Sequence, residues 1–198
     1  MTRQCGDCQL CCKLLPMKAA RVPADQHPVA RAMFGHPNTI KEFDKPAGER
    51  CPHQKHHKGC AVYDKRPLGC RIWNCRWLTG DDTEKMSRPD RVHYVIDILP
   101  DFVVAEDGTN AQRIPVIQVW LDPDYPGAID DPELRAYIMR RGAEDCATLV
   151  RLDARRAVTV LPPTLCSDGQ WHIIGGESAG PQWSTWPDHV RKELQNES

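Results

Sequence analysis

Long apolar runs are missing from this sequence. No uncharged hydrophobic stretch approaches the roughly 20 residues of a membrane-spanning helix, and Met1 is followed at once by polar residues and cysteines rather than by a signal-peptide core. The expectation is a cytoplasmic chain with no membrane partner, in a compartment that keeps thiols reduced. Phenylalanine is scarce, with three residues, and hydrophobic residues make up 40%, so the core has to be modest. No nucleophile elbow, P-loop or HExxH sequence occurs, and Gly175-Gly176 lacks the strand–helix context of a phosphate loop. Asp122, Asp124, Asp130 and Asp131 do not have the spacing of an EF-hand and read as turn and cap residues. There is no internal repeat. No catalytic base or nucleophile stands out, so the sequence leaves open whether the protein is an enzyme.

Cysteine is abundant instead. Ten are present, and eight fall in the first 75 residues. Four form the run Cys5-x-x-Cys8-x-x-Cys11-Cys12, and four more are Cys51, Cys60, Cys70 and Cys75. Reduced thiols at this density point to metal or redox chemistry rather than to a disulfide frame. The C-x-x-C spacing lets two sulfurs reach one ion, as in zinc knuckles and ferredoxin loops. On a helix, at about 100° per residue, the four sulfurs of the first run share an arc of about 120°. Cys11 and Cys12 would still diverge by about 100° there, which suits two centres or a polynuclear one better than a shared single ion.

Charge follows the cysteines. Residues 1–77 carry 14 Lys and Arg against 6 Asp and Glu, whereas residues 78–198 carry 12 against 21. Eight ionised thiols and two divalent ions would bring the basic half to about +4, so the excess cations read as compensation for anionic metal–thiolate centres. The near-neutral pI of 6.7 argues against a nucleic-acid partner. The acidic half offers a surface for a protein partner.

In the second cysteine group, Gly59 and Gly69 each precede a cysteine and permit a close approach to a metal. Cys51-Pro52, Gly59-Cys60, Tyr63, Arg66-Pro67 and Cys70-Arg71 follow the first run in order. Together these motifs resemble the CxxCxxCC cysteine-cluster family, a zinc- or iron-chelating domain whose members are often described as iron–sulfur oxidoreductase-like. The resemblance spans about residues 5–77 and rests on Cys5, Cys8, Cys11, Cys12, Cys51, Cys60, Tyr63, Arg66, Pro67, Cys70 and Arg71. Cys75 lies outside that pattern, and nothing in it speaks to residues 90–198. Eight thiolates fill two closed tetrahedral zinc sites, and zinc is the expected cofactor. Iron or an iron–sulfur cluster is the alternative, with electron transfer or an oxidoreductase role, and a metal carrier is a third reading.

Around these ligands, His53, His56 and His57 alternate with lysines and read as a solvated loop. Arg66 and Arg71 read as hydrogen-bonding support for the ligands. Trp73 and Trp77, four apart, are expected to cover the site from a helix. Cys146 and Cys166 stand alone and read as small buried hydrophobes.

The expected fold is α+β: a cysteine-rich, metal-organised lobe of short helices and loops over 1–80, and a mostly antiparallel sheet with one or two helices over 90–198, packed with the first lobe or separate from it. Residues 16–50, with five prolines, suggest a short helix from Asp25 to Phe34 ended by Gly35. Strands are expected at 91–99, 102–105, 114–121, 147–152, 157–161 and 171–174, with a turn at Pro100-Asp101. Asp131 should cap a helix that begins with Pro132 and stops at Gly142. A last helix is expected over 187–194.

Overall fold

The computed structural model describes residues 3, 5–17, 43–55, 58–67, 70–71, 73–80, 82–97, 101–107, 110–153 and 155–175. The helices expected at 25–34 and 187–194 lie outside the described residues, as do Gly69, His56 and His57.

Among its described residues the first lobe has little regular structure. It contains helix α1 (Leu10–Leu14), the two-residue strands β1 (Gln54–Lys55) and β2 (Gly59–Cys60), and helix α2 (Arg76–Thr79). None of these could persist alone, because short helices and two-stranded ribbons are marginal in water. A helical turn, α3 (Pro89–Val92), then leads into the sheet.

The sheet has six strands: β3 (Tyr94–Ile96), β4 (Asp101–Asp107), β5 (Asn110–Leu121), β6 (Ala147–Arg151), β7 (Ala157–Leu161) and β8 (His172–Ile174). Four of its five strand pairs are antiparallel, and β5–β6 is parallel. Helix α4 (Pro132–Gly142) supplies the crossover that a parallel pair requires. The α+β expectation holds.

Three boundaries differ from expectation. The strand expected from Arg91 begins at Tyr94, because Pro89 starts a helical turn that His93 ends at φ 61°. No reversal separates β3 from β4: both run antiparallel to β5 along successive stretches, so Asp101 is strand and not turn. Gly142 is the last residue of α4 rather than a left-handed stop. A Cβ there would lie 2.3 Å from the Trp171 ring, so close packing demands the glycine. The cap is as expected, with Asp131 Oδ1 accepting from the Glu133 and Leu134 amides at 2.9 Å each.

Strand alternation sends side chains to two faces. Tyr94, Ile96, Val119, Leu121 and Val150 join Leu134, Tyr137 and Ile138 of α4 in the main core. Val95 and Trp120, cross-strand partners, point the other way and pack with Cys8, Leu10, Leu14 and Cys75. The sheet thus carries α4 on one face and the cysteine lobe on the other.

Candidate metal centre

The first cysteine run is a turn followed by a helix, not one helix. The Cys8 amide donates to the Cys5 carbonyl at 2.9 Å, and α1 begins only at Leu10, so Cys5 and Cys8 lie on the turn while Cys11 and Cys12 lie on the helix. Leu10 and Leu14 fix α1 against the sheet by their burial. Lys13 holds it from the other side: its Nζ lies 2.5 Å from Asp122 Oδ1 and 2.5 Å from Asp124 Oδ2, just beyond the end of β5. The Asp122 side chain is only 5% exposed, so this pair is a buried tether between lobes.

The second group is brought up by the β1–β2 ribbon. Gly59 has φ +78°, and a Cβ there would lie 2.7 Å from the Gly6 carbonyl oxygen, so only glycine lets the ribbon close on the first run. Gln9 Nε2 secures that contact by donating to the carbonyls of Lys55 and, at 2.8 Å, Gly59. Cys75, buried, forms an antiparallel bridge with Asp97 next to β3.

All eight cysteines of the two groups line one cavity of about 700 Å³. None of the ten cysteines is in a disulfide. Among the described residues no three of the eight sulfurs lie within 4.8 Å of one another, so they ring the cavity rather than meet at one point. Cys11 has the thiols of both Cys5 and Cys12 as neighbours. Cys70 is charge-coupled to Cys12, Cys51 and Cys60, whereas Cys8 and Cys75 are coupled to Cys5. Cys12 is within electrostatic reach of Cys5 as well, so the thiols form one connected set.

Burial controls the protonation of these thiols. It pushes Cys8 and Cys70 up to about 12, and it raises Cys51 and Cys75. Cys5 is the exception: a hydrogen bond from Cys11 holds it at about 7. A separate contact with Cys11 lowers Cys12, and Cys11 itself is raised by its two thiol neighbours and by burial. A thiol that is costly to ionise when buried becomes favourable to ionise beside a cation, which is the condition of a metal ligand.

Positive charge stands nearby. Lys45 is 4% exposed, and its Nζ donates to the carbonyls of Lys13, Pro46 and Glu49 at 3.2, 2.9 and 2.8 Å. Arg66 lines the cavity and donates to the Cys70 carbonyl at 3.1 Å, and Arg71 Nε donates to the Arg66 carbonyl at 2.8 Å. The two arginines thus hold the ligand loop through its backbone. His53 reaches the cavity wall.

The tryptophan pair divides. Trp73 precedes α2, lines the cavity and donates from Nε1 to Asp97 Oδ1 at 2.8 Å. Trp77, on α2, packs behind the site, donates to the Met86 carbonyl at 3.0 Å and lies under the Arg3 guanidinium. The expected helical pair is therefore not a joint cover, because α2 starts only at Arg76.

Other wall residues were not visible in the motifs. Asp97, Gln118, Trp120 and Arg151 face the cavity from the sheet. Arg151 stacks on Trp120 at 4.8 Å and donates to Gln118 at 2.8 Å. Two buried polar atoms on the wall, Trp120 Nε1 and Gln54 Oε1, have no hydrogen-bond partner. Strand alternation was the signal that could have found the sheet residues.

Residues 4–91 match the model of a family named CxxCxxCC, described as "Putative zinc- or iron-chelating domain". The resemblance read from the motifs is thereby borne out, and generic metal binding with it. The match extends past the cysteines and ends within α3, and the whole six-stranded sheet lies outside it. No curated protein and no solved structure matches the chain significantly. No described helix is long and apolar enough to cross a membrane.

Two isolated cysteines fare differently. Cys146 is buried at 4% and donates to the Ala147 carbonyl, as a small core residue does. Cys166 is only partly buried and lies beside Asp168 and His172, so reading it as a core residue was mistaken.

Proposed function

We propose that the cavity holds metal through the thiolates of Cys5, Cys8, Cys11, Cys12, Cys51, Cys60, Cys70 and Cys75, in two adjoining centres with zinc as the resident ion. The observation that carries this reading is that the cysteines of both motifs, separated by some 40 residues of chain, all line one cavity. In this reading Cys12, Cys51, Cys60 and Cys70 serve one centre and Cys5, Cys8, Cys11 and Cys75 the other, the two adjoining where Cys12 comes within reach of Cys5. The donor set fits: soft sulfurs in numbers sufficient for two closed sites, with Lys45 and Arg66 to offset their charge. Bound metal would supply the cross-link that this lobe's short elements cannot. A closed thiolate site has no open position for water, which argues against zinc hydrolysis there. In this reading the two lobes act as one unit, joined across the cavity wall.

An iron–sulfur cluster is the second reading, favoured by one observation. Sulfurs that ring a large cavity without converging suit an occupant of several atoms. Elemental analysis and an absorption spectrum of protein purified without oxygen separate the two. Zinc, with a colourless protein, supports the first. Iron with visible charge-transfer bands replaces zinc by a cluster. Protein that retains neither metal, even after reconstitution, contradicts both.

A further inference from the structure

The far end of the sheet carries a second group of metal-ligating side chains. Cys166 follows the 3-10 turn Pro163–Leu165, whose last amide bonds bring the chain round. The Gly169 amide donates to the Cys166 carbonyl at 3.0 Å, and Gly169 takes φ +68°, folding the segment back on itself. Trp171 is buried at 7% against α4 and anchors the return. His172 then opens β8, paired with Leu161 of β7. The fold thus fixes Cys166 and His172 from both sides.

Asp168 lies between them. Its Oδ1 accepts from the Gln170 amide at 3.0 Å, which orients the carboxylate, and its Oδ2 lies 2.8 Å from His172 Nε2. A ligand atom from each of Cys166, Asp168 and His172 lies within 4.8 Å of the other two. The simple account, an aspartate–histidine contact on the surface, does not call for a thiol in the same place. The eight sulfurs of the large cavity, by contrast, contain no such convergent triplet.

We infer that Cys166, Asp168 and His172 form a separate binding site for a borderline divalent cation, with Zn²⁺ the ion that fits best. One thiolate, one imidazole and one carboxylate are a mixed donor set suited to zinc rather than to Mg²⁺ or Ca²⁺. Three protein ligands leave a fourth tetrahedral position for water or an incoming ligand. The site is reached from solvent, since Asp168 is exposed and the other two are half-buried. An open, accessible site exchanges its ion readily, unlike an enclosed thiolate centre. All three ligands come from a seven-residue segment outside the CxxCxxCC match, so the site does not depend on the cavity or on what fills it.

The test is alkylation of the full-length protein with iodoacetamide, with and without micromolar Zn²⁺, read residue by residue by peptide mass mapping. Zinc should slow labelling of Cys166 by about tenfold or more, because a metal-bound thiolate is a poor nucleophile. His172→Ala and Asp168→Asn should each remove most of that protection without altering labelling at Cys51 or Cys60. Asp168→Asn preserves size and shape, so it stands if the alanine variant misfolds. Cys166 labelling unaffected by Zn²⁺, or protection that survives in both variants, would overturn the site. Neither outcome bears on the metal content of the cavity.

Discussion

The two lobes are held together by different physics. In the sheet lobe, Leu134, Tyr137, Ile138, Val119, Val150 and Val160 are almost wholly removed from water, and apolar burial accounts for the fold. Among the described residues of the cysteine lobe the α-helices run four or five residues and the strands two, and a cavity lined by eight cysteines lies between them. The sheet lobe has an apolar core of its own. The cysteine lobe, in the proposed reading, is completed by the metal that its eight sulfurs bind. The shared wall of Val95 and Trp120 shows how they combine: the self-sufficient sheet is the template on which the other lobe is displayed.

Removing metal should separate the lobes most sharply. Structural zinc contributes about 10–16 kcal/mol in small zinc-folded peptides, more than short elements could lose and stay folded. Chelation is therefore expected to abolish amide-exchange protection over 5–15 and 51–80 while β5, β6 and β7 keep theirs. Metal should also be released as pH falls. Burial holds Cys8 and Cys70 up at about 12, so protons compete strongly, and affinity should drop about tenfold per pH unit for each proton displaced. Loss of protection across the whole chain at once would erase the contrast between lobes.

The tether should be next in size. Lys13→Met leaves the Asp122 carboxylate buried without its partner, a change that costs about 3–5 kcal/mol. Adding Asp122→Leu should restore much of it, and denaturant titration of the single and double variants measures both.

Ile138→Ala attacks the other lobe. It should cost about 2–5 kcal/mol through the cavity it leaves, with metal content per folded molecule unchanged. Equilibrium unfolding alongside elemental analysis checks the two halves of that statement.

The smallest effect belongs to Asp82. Burial raises its carboxyl, but hydrogen bonds from Arg76 and Tyr137 outweigh this and hold it below its ordinary value. A depressed carboxylate contributes stability above its unfolded pKa near 4 and loses it as pH falls through the folded value. The pair is partly exposed, so the contribution should be under about 1 kcal/mol. Asp82→Asn should remove the difference at neutral pH and flatten the acid limb of stability against pH.

Legibility in the sequence followed the same division. The eight cysteines announced themselves because metal ligation depends on residue type and local spacing. The cap at Asp131 and the strand Ala157–Leu161 were readable because both are local signals. Gly142 was assigned to the right place for the wrong reason, since the Trp171 ring that requires it is 29 residues away in the chain. The Lys13–Asp122 tether, the Gly59–Gly6 contact and the sheet-borne wall of the cavity join residues far apart, and no spacing rule reaches that distance. Cys166 looked isolated because its neighbours are an aspartate and a histidine, not further cysteines.

The account turns on the state of eight sulfur atoms. Thiol alkylation of metal-loaded protein, mapped by peptide before and after chelation, addresses them individually. The expected result is that Cys5, Cys8, Cys11, Cys12, Cys51, Cys60, Cys70 and Cys75 are all protected while metal is bound and all react once it is withdrawn. Equal reactivity of these eight before and after metal removal would contradict it.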